Sequence, residues 1–192
     1  MADYSQSPFN KERKDKFVLV IPTPKVLRED VSKTVRNNTF VNPDSMQFSI
    51  YGSVIPTVSI PEESVRFSGQ TLNVTSYNRP VYDPIEVKFT IDNRFQNYWF
   101  IYTWLNKLND EYKGIFDAQN EYPPGFVNED LYMANFTIYG LDEYNKKVVQ
   151  FNFSKGFPTK LEGIDYSYRD SEEIESSFTL AYSQFTVNLL NV

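Results

Sequence analysis

The sequence predicts a mainly β protein, antiparallel for the most part, with one amphipathic α-helix. Three observations carry this. Aromatic residues make up 17% of the 192 positions, with 14 Tyr and 16 Phe, and such side chains favour half-buried pleated surfaces. Short stretches alternate apolar and polar residues with period two, "IEVKFTI" (85–91) most cleanly. Only one stretch sustains a helical period: Phe95, Tyr98, Trp99, Tyr102, Leu105 and Leu108 recur at helical spacing.

Taken in order, residues 1–16 read as a polar N-terminal arm carrying both charge signs. "FVLVI" (17–21) is a first strand, stopped by "PTP" because Pro22 and Pro24 cannot donate to a ladder. Residues 25–44 are polar with weak periodicity and read as a long loop. "MQFSI" (46–50) alternates as a strand, with Met46, Phe48 and Ile50 on one face. A long extended stretch follows, in which Val65 and Phe67 share one parity and Leu72 and Val74 the other. That switch predicts a β-bulge or kink at Gly69–Gln70. In "IEVKFTI" the residues Ile85, Val87, Phe89 and Ile91 face inward.

Asn93 is placed to cap the helix, with Gln96 three residues on, and the helix runs to Asn109. Residues 116–130 form a Pro/Gly loop. Strands are expected at roughly 132–139, 147–153, 163–169 and 176–189. The last slips parity after Tyr182. No repeat and no linker divides 17–192, which reads as a single domain with loop insertions at about 25–44 and 116–130.

Absent residue types narrow the function. Without Cys there is no disulfide framework, thiolate metal site or cysteine nucleophile. Without His, Ser-His-Asp catalysis and histidine proton shuttling drop out. No metal site, cofactor site or catalytic set is expected, and the chain reads as a non-enzyme. "RDSEEIE" (169–175) has the composition of a carboxylate cluster in which Asp170 or Glu172 could act, but reads as a solvated turn. The net charge of −6 speaks against gripping nucleic acid. The longest aliphatic run is far short of a membrane span and the N-terminus lacks an apolar core, so a soluble, cytoplasmically made protein is expected.

Two stretches carry a resemblance. "GSVIPTVSIPEESVRFSGQTLNVTSYNRPVYDPIEVKFTIDNRFQNYWFIYTWLN" runs from a strand with a Pro-containing turn through a long strand, an R-x-x-x-D turn and an alternating strand to an aromatic helix. "GFPTKLEGIDYSYRDSEEIESSFTLAYSQF" runs from a Gly/Pro turn through a strand and an acidic turn to a long aromatic strand. In order and spacing these resemble tail tube proteins of contractile-tailed bacteriophages. The resemblance implies an antiparallel β-sandwich or barrel with one flanking helix, assembling into stacked, hexameric rings around a channel that conducts the DNA genome without specific binding. It implies as partners copies of the chain itself, the tail sheath protein, the baseplate or tube-initiator protein and the tail terminator. The expected location is the virion, after synthesis and assembly in the host cytoplasm. A baseplate tube-initiator ring and the tube of a contractile injection system are the near alternatives, and an aromatic-rich carbohydrate-binding β-sandwich the distant one. A neutral-to-acidic channel wall is expected. Arg66, Ser68 and Gln70 from one parity-switching strand, and Thr179, Ala181 and Ser183 from the other, are its candidates.

Overall fold

Strand β6 (Ile85–Thr90) shows how the fold is built: Ile85, Val87 and Phe89 are buried while Glu86 and Lys88 are exposed. The computed structural model describes residues 13–34, 45–47, 50–53, 55–108, 129–169 and 172–190. Its other strands are β1 (Phe17–Pro22), β2 (Ser45–Gln47), β3 (Ile50–Ser53), β4 (Glu62–Phe67), β5 (Gln70–Thr75), β7 (Ala134–Leu141), β8 (Lys147–Leu161), β9 (Glu175–Ala181) and β10 (Gln184–Leu189). The helices are α1 (Arg28–Thr34), α2 (Gln96–Leu108) and the short α3 (Glu129–Tyr132).

The main sheet runs β2-β1-β7-β8-β9-β6-β3, with β10 also paired to β8, and every pairing is antiparallel. Its two end strands, β2 and β3, are separated in the chain only by residues 48–49, which lie outside the described residues. One short segment thus supplies both borders, as in a sheet curled into a barrel. The "MQFSI" strand is therefore divided: its start pairs with β1, whereas Ile50 pairs with Phe89 of β6.

Aromatic rings fill the interior. Phe136 and Phe153 stack with centroids 4.5 Å apart, and Tyr182 meets Phe153 edge-on at 4.9 Å. On α2, Phe100, Ile101 and Trp104 are buried, and Trp104 Nε1–H donates to the carbonyl of Tyr132 at 2.8 Å. That bond satisfies the one polar atom of a large buried ring.

Several expectations are corrected. Residues 25–34 are not loop: a 3-10 turn (Lys25–Leu27) leads into α1, and Leu27 and Val31 join the core. Lys107 Nζ of α2 lies 3.5 Å from Asp30 Oδ2, tying this segment to the main helix. The cap of α2 is Asp92, not Asn93. Its Oδ1 accepts from the backbone N–H of Arg94 at 3.0 Å and of Gln96 at 2.8 Å. Phe95 precedes the helix, at φ 57°, and Asn109 lies outside the described residues. In the region expected as a loop at 116–130, residues 129–130 begin α3 and 116–128 lie outside the described residues.

The largest correction concerns β8. It runs without interruption through "GFPTK", which reads as a turn, while 163–169 forms no strand. Glycine is required here by close approach: a Cβ on Gly156 would sit 2.4 Å from Phe136 Cε1. Lys155 takes φ 55°, and its N–H donates to Asn135 Oδ1 at 3.0 Å where the β7–β8 register shifts. Pro158 sits beside a second register shift, against β9, where a missing N–H is tolerated. The segment expected as one strand at 176–189 is β9 and β10, broken at Tyr182–Ser183 as the parity slip predicts, and both halves run along β8.

Candidate assembly surface

The strands β4 and β5 stand apart from the barrel as a two-stranded sheet of their own. Between them Ser68 and Gly69 take φ 48° and 82°, the left-handed pair that makes a tight two-residue hairpin turn. The parity switch is thus a reversal of the chain, not a bulge within one strand. The base is tied by Ser76 N–H donating to the Pro61 carbonyl at 2.8 Å.

The register fixes the chemistry of its two faces. Val65 opposes Leu72, Glu63 opposes Val74 and Phe67 opposes Gln70, giving one largely apolar face. Glu62 with Thr75, Ser64 with Asn73 and Arg66 with Thr71 form the other, polar and carrying one charge of each sign. Ser64 Oγ donates to Asn73 Oδ1 at 3.0 Å. Every residue of both strands is exposed, Phe67 at 65%. The connectors add exposed Val58, Ile60, Tyr77 and Val81. A lone two-stranded hairpin is marginal in water, and one with an apolar face is a template for pairing with another chain.

The barrel has a second open feature. β10 pairs with β8 along one edge and with no strand along the other among the described residues, and Val187 and Leu189 are exposed on the same side as Phe185. On the opposite, outward side two rows hold polar residues and no charged one. Thr137, Asn152 and Thr186 stand in one row across β7, β8 and β10, and Tyr139, Gln150 and Asn188 in the next. Thr137 Oγ1 donates to Asn152 Oδ1 at 3.1 Å and Gln150 Nε2 to the same oxygen at 2.6 Å. The outward side around β9 differs: Thr179 lies between Glu86 and Lys160, and Lys160 pairs with Glu162.

Residues 12–188 match the phage tail tube protein family. The chain belongs to that family. No curated protein sequence matches it. Among solved structures, a chain of the anti-feeding prophage tube-terminating cap is 12% identical, with TM-score 0.60 over 99% of this chain and 100% of that one. A chain of the sheath-tube complex of an extracellular contractile injection system is 10% identical, with TM-score 0.60 over 99% and 98%. A chain of the anti-feeding prophage baseplate is 16% identical, with TM-score 0.53 over 95% and 97%. At such identities these likenesses establish the fold, and this tail tube family member is mainly β and antiparallel, as expected.

The structure distributes the expected wall residues rather than gathering them. Arg66 lies on the polar face of the hairpin, Ser68 in its turn, and Gln70 on the apolar face opposite Phe67. The three do not share a face, because the turn reverses the chain between them. Thr179 and Ala181 lie on the outward side of β9, and Ser183 is exposed in the break before β10. Among the acids, Asp170 lies outside the described residues. No group of three or more acids that could hold a metal occurs among the described residues, and no helix among them is long and apolar enough to cross a membrane.

Sequence reasoning missed the hairpin, although its signal was present. "SG" between two alternating runs of opposite parity is a two-residue turn signature. The same reading would have paired Val65 with Leu72.

Proposed function

We propose that this tail tube family member is a subunit of the inner tube of a contractile bacteriophage tail. Copies stack as rings of six, and the channel conducts the DNA genome during ejection. The observation that carries the reading is the β4–β5 hairpin, an amphipathic sheet whose apolar face has no cover among the described residues. Its occupant is a second copy of the chain. Every subunit of a ring then donates one hairpin and receives another, and head-to-tail stacking of rings extends the particle without closing it. Arg66, Ser68 and Gln70 fall within this contact.

The tail sheath protein, the baseplate or tube-initiator protein and the tail terminator are its further partners. The virion tail is its destination after synthesis in the host cytoplasm. Chains of similar fold occur in cap, sheath-tube and baseplate assemblies, which supports a tube-initiator ring or an injection-system tube as the alternative. The family and the fold support a structural role rather than catalysis.

Negative-stain microscopy of the concentrated full chain tests this directly. Rings or tubes are expected, and replacing Val65 and Phe67 together by Asp should leave only monomers of unchanged circular dichroism. A chain that stays monomeric at every concentration overturns the proposal. Antibody labelling of tails against baseplates on purified particles separates the tube subunit from the initiator.

A further inference from the structure

We infer that the outward side of β7, β8 and β10 is the channel wall, and that no charged residue occupies a position in its two central rows. The inference rests on the tube reading above and adds the identity and chemistry of the cargo-facing surface.

The chain is 23% charged, and exposed sheet faces are where charges ordinarily collect. On the outward sides of β6 and β9 they do, as Glu86, Lys88 and Glu175. Along the two rows from Thr137 to Thr186 and from Tyr139 to Asn188 there is none. Amides and hydroxyls stand there instead, bonded to one another through Asn152. Of the lysines of β8, Lys147 opens the strand with its Nζ 4.0 Å from the centroid of the Tyr139 ring, Lys155 stands mid-strand at the register shift beyond these rows, and Lys160 lies beside β9.

This surface ends at the free edge of β10, a six-residue strand whose other side shows exposed Val187 and Leu189. The strands of the hairpin are also six residues long and present the same two chemistries, apolar on one side and polar on the other. Joining the hairpin of the next copy to this edge, apolar side with apolar side, pairs the free edge and sets Val187 and Leu189 beside the hairpin's apolar face in one continuous apolar side. It also carries the polar surface onward through Asn73, Thr71 and Ser64, where Glu62 and Arg66 of the same face add one charge of each sign and no net charge. A period-two strand permits only this facing, since the reverse would place Thr186 and Asn188 against Val65 and Leu72.

A wall whose central rows hold no charged residue offers a polyanion few sites for displacing counterions, the step that drives phosphate binding, and no row of acids to repel it. Passage through it is then only weakly sensitive to salt. The sequence alone pointed to a neutral-to-acidic lining. The rows identified here are the neutral end of that range.

The absence of cysteine from the chain makes single-cysteine labelling the test. Thr186→Cys, Asn188→Cys and Asn73→Cys are each assembled into particles and treated with a small maleimide and with a bulky polymer-linked maleimide. For each, the free subunit should react with both reagents and the assembled particle with the small one only. A cysteine at 186 or 188 that is blocked to both reagents belongs to a subunit contact. One open to both lies on the outer surface. Either result overturns the assignment of the wall while leaving assembly intact. Either result at position 73 alone overturns the extension by the hairpin. Failure of the wild-type chain to assemble removes the tube reading and this inference together.

Discussion

Strand β6 and the hairpin β4–β5 are written in the same code and end in opposite environments. In β6 every second residue is apolar, and Ile85, Val87 and Phe89 vanish into the core. In the hairpin Val65, Phe67, Leu72 and Val74 alternate just as regularly, yet all four are exposed. Alternation therefore reports which face of a strand is apolar and nothing about what covers it. In β6 the cover is the rest of the chain. In the hairpin no described residue supplies it.

The strongest way to break this comparison is to truncate one aromatic in each region. Phe89→Ala should destabilise the monomer by about 3–5 kcal/mol in urea unfolding, the usual cost of emptying an aromatic site in a core. Phe67→Ala should leave monomer stability within about 0.5 kcal/mol, as expected for an exposed position, and abolish or greatly weaken ring formation in sedimentation. Equal stability losses would mean that the hairpin is held by its own chain after all.

Next in size is the turn. Gly69 holds φ 82° with nothing within 4 Å of where a Cβ would sit, so Gly69→Val introduces backbone strain and no clash. It should cost about 1–2 kcal/mol of hairpin stability and block assembly while the barrel's melting temperature stays put. Normal polymerisation of this variant would show that the turn can be remodelled freely.

A smaller effect separates the two candidate caps of α2. Asp92→Ala should cost about 1 kcal/mol in thermal unfolding, the typical worth of an N-terminal cap, whereas Asn93→Ala should change little. The reverse order would contradict the hydrogen bonds of Asp92.

The smallest expected change in neutral solution is at Tyr182, whose hydroxyl is buried with no hydrogen-bond partner among the described residues. Removing an unsatisfied buried hydroxyl is nearly neutral or stabilising, so Tyr182→Phe should melt within a degree or two of wild type or slightly above it. Burial, aided by Tyr82 and Asp83, pushes this phenol from 10.0 up to about 12. Because the folded value lies above the unfolded one, the unfolded chain loses its proton first. Stability held below pH 10 should fall as the pH rises toward about 12. Tyr182→Phe should flatten that part of the alkaline unfolding profile, and an unchanged profile would place the phenol in water.

Much of the barrel was legible from single strands. β1, β6 and β7 lie within about two residues of where alternation places them, and the helix stands where Tyr98, Trp99 and Leu105 recur. What was misread shares a cause. Gly156 and Pro158 signal a turn in isolation, but Gly156 answers to the ring of Phe136 pressed against it and Pro158 to a register shift. Residues 25–34 looked loop-like because only Leu27 and Val31 are apolar at helical spacing, and a single turn of contact suffices to dock α1. Of the assembly surface, the hairpin residues were singled out for their parity switch. Their true faces depend on a reversal that moves Gln70 to the opposite side from Arg66. The uncharged rows of β7, β8 and β10 escaped notice because they join residues far apart in the chain.

The order of residues alone determined the β character of this tail tube protein, its aromatic helix, and the absence of thiol and imidazole chemistry, since each follows from local period or from composition. Only the tertiary structure decided that 62–75 folds back on itself, that β8 runs through its glycine and proline, and that uncharged side chains gather on one side of the barrel. These depend on which distant segments meet. A period of two fixes how a strand's side chains alternate, and leaves to the pairing of strands the choice of what each face will touch.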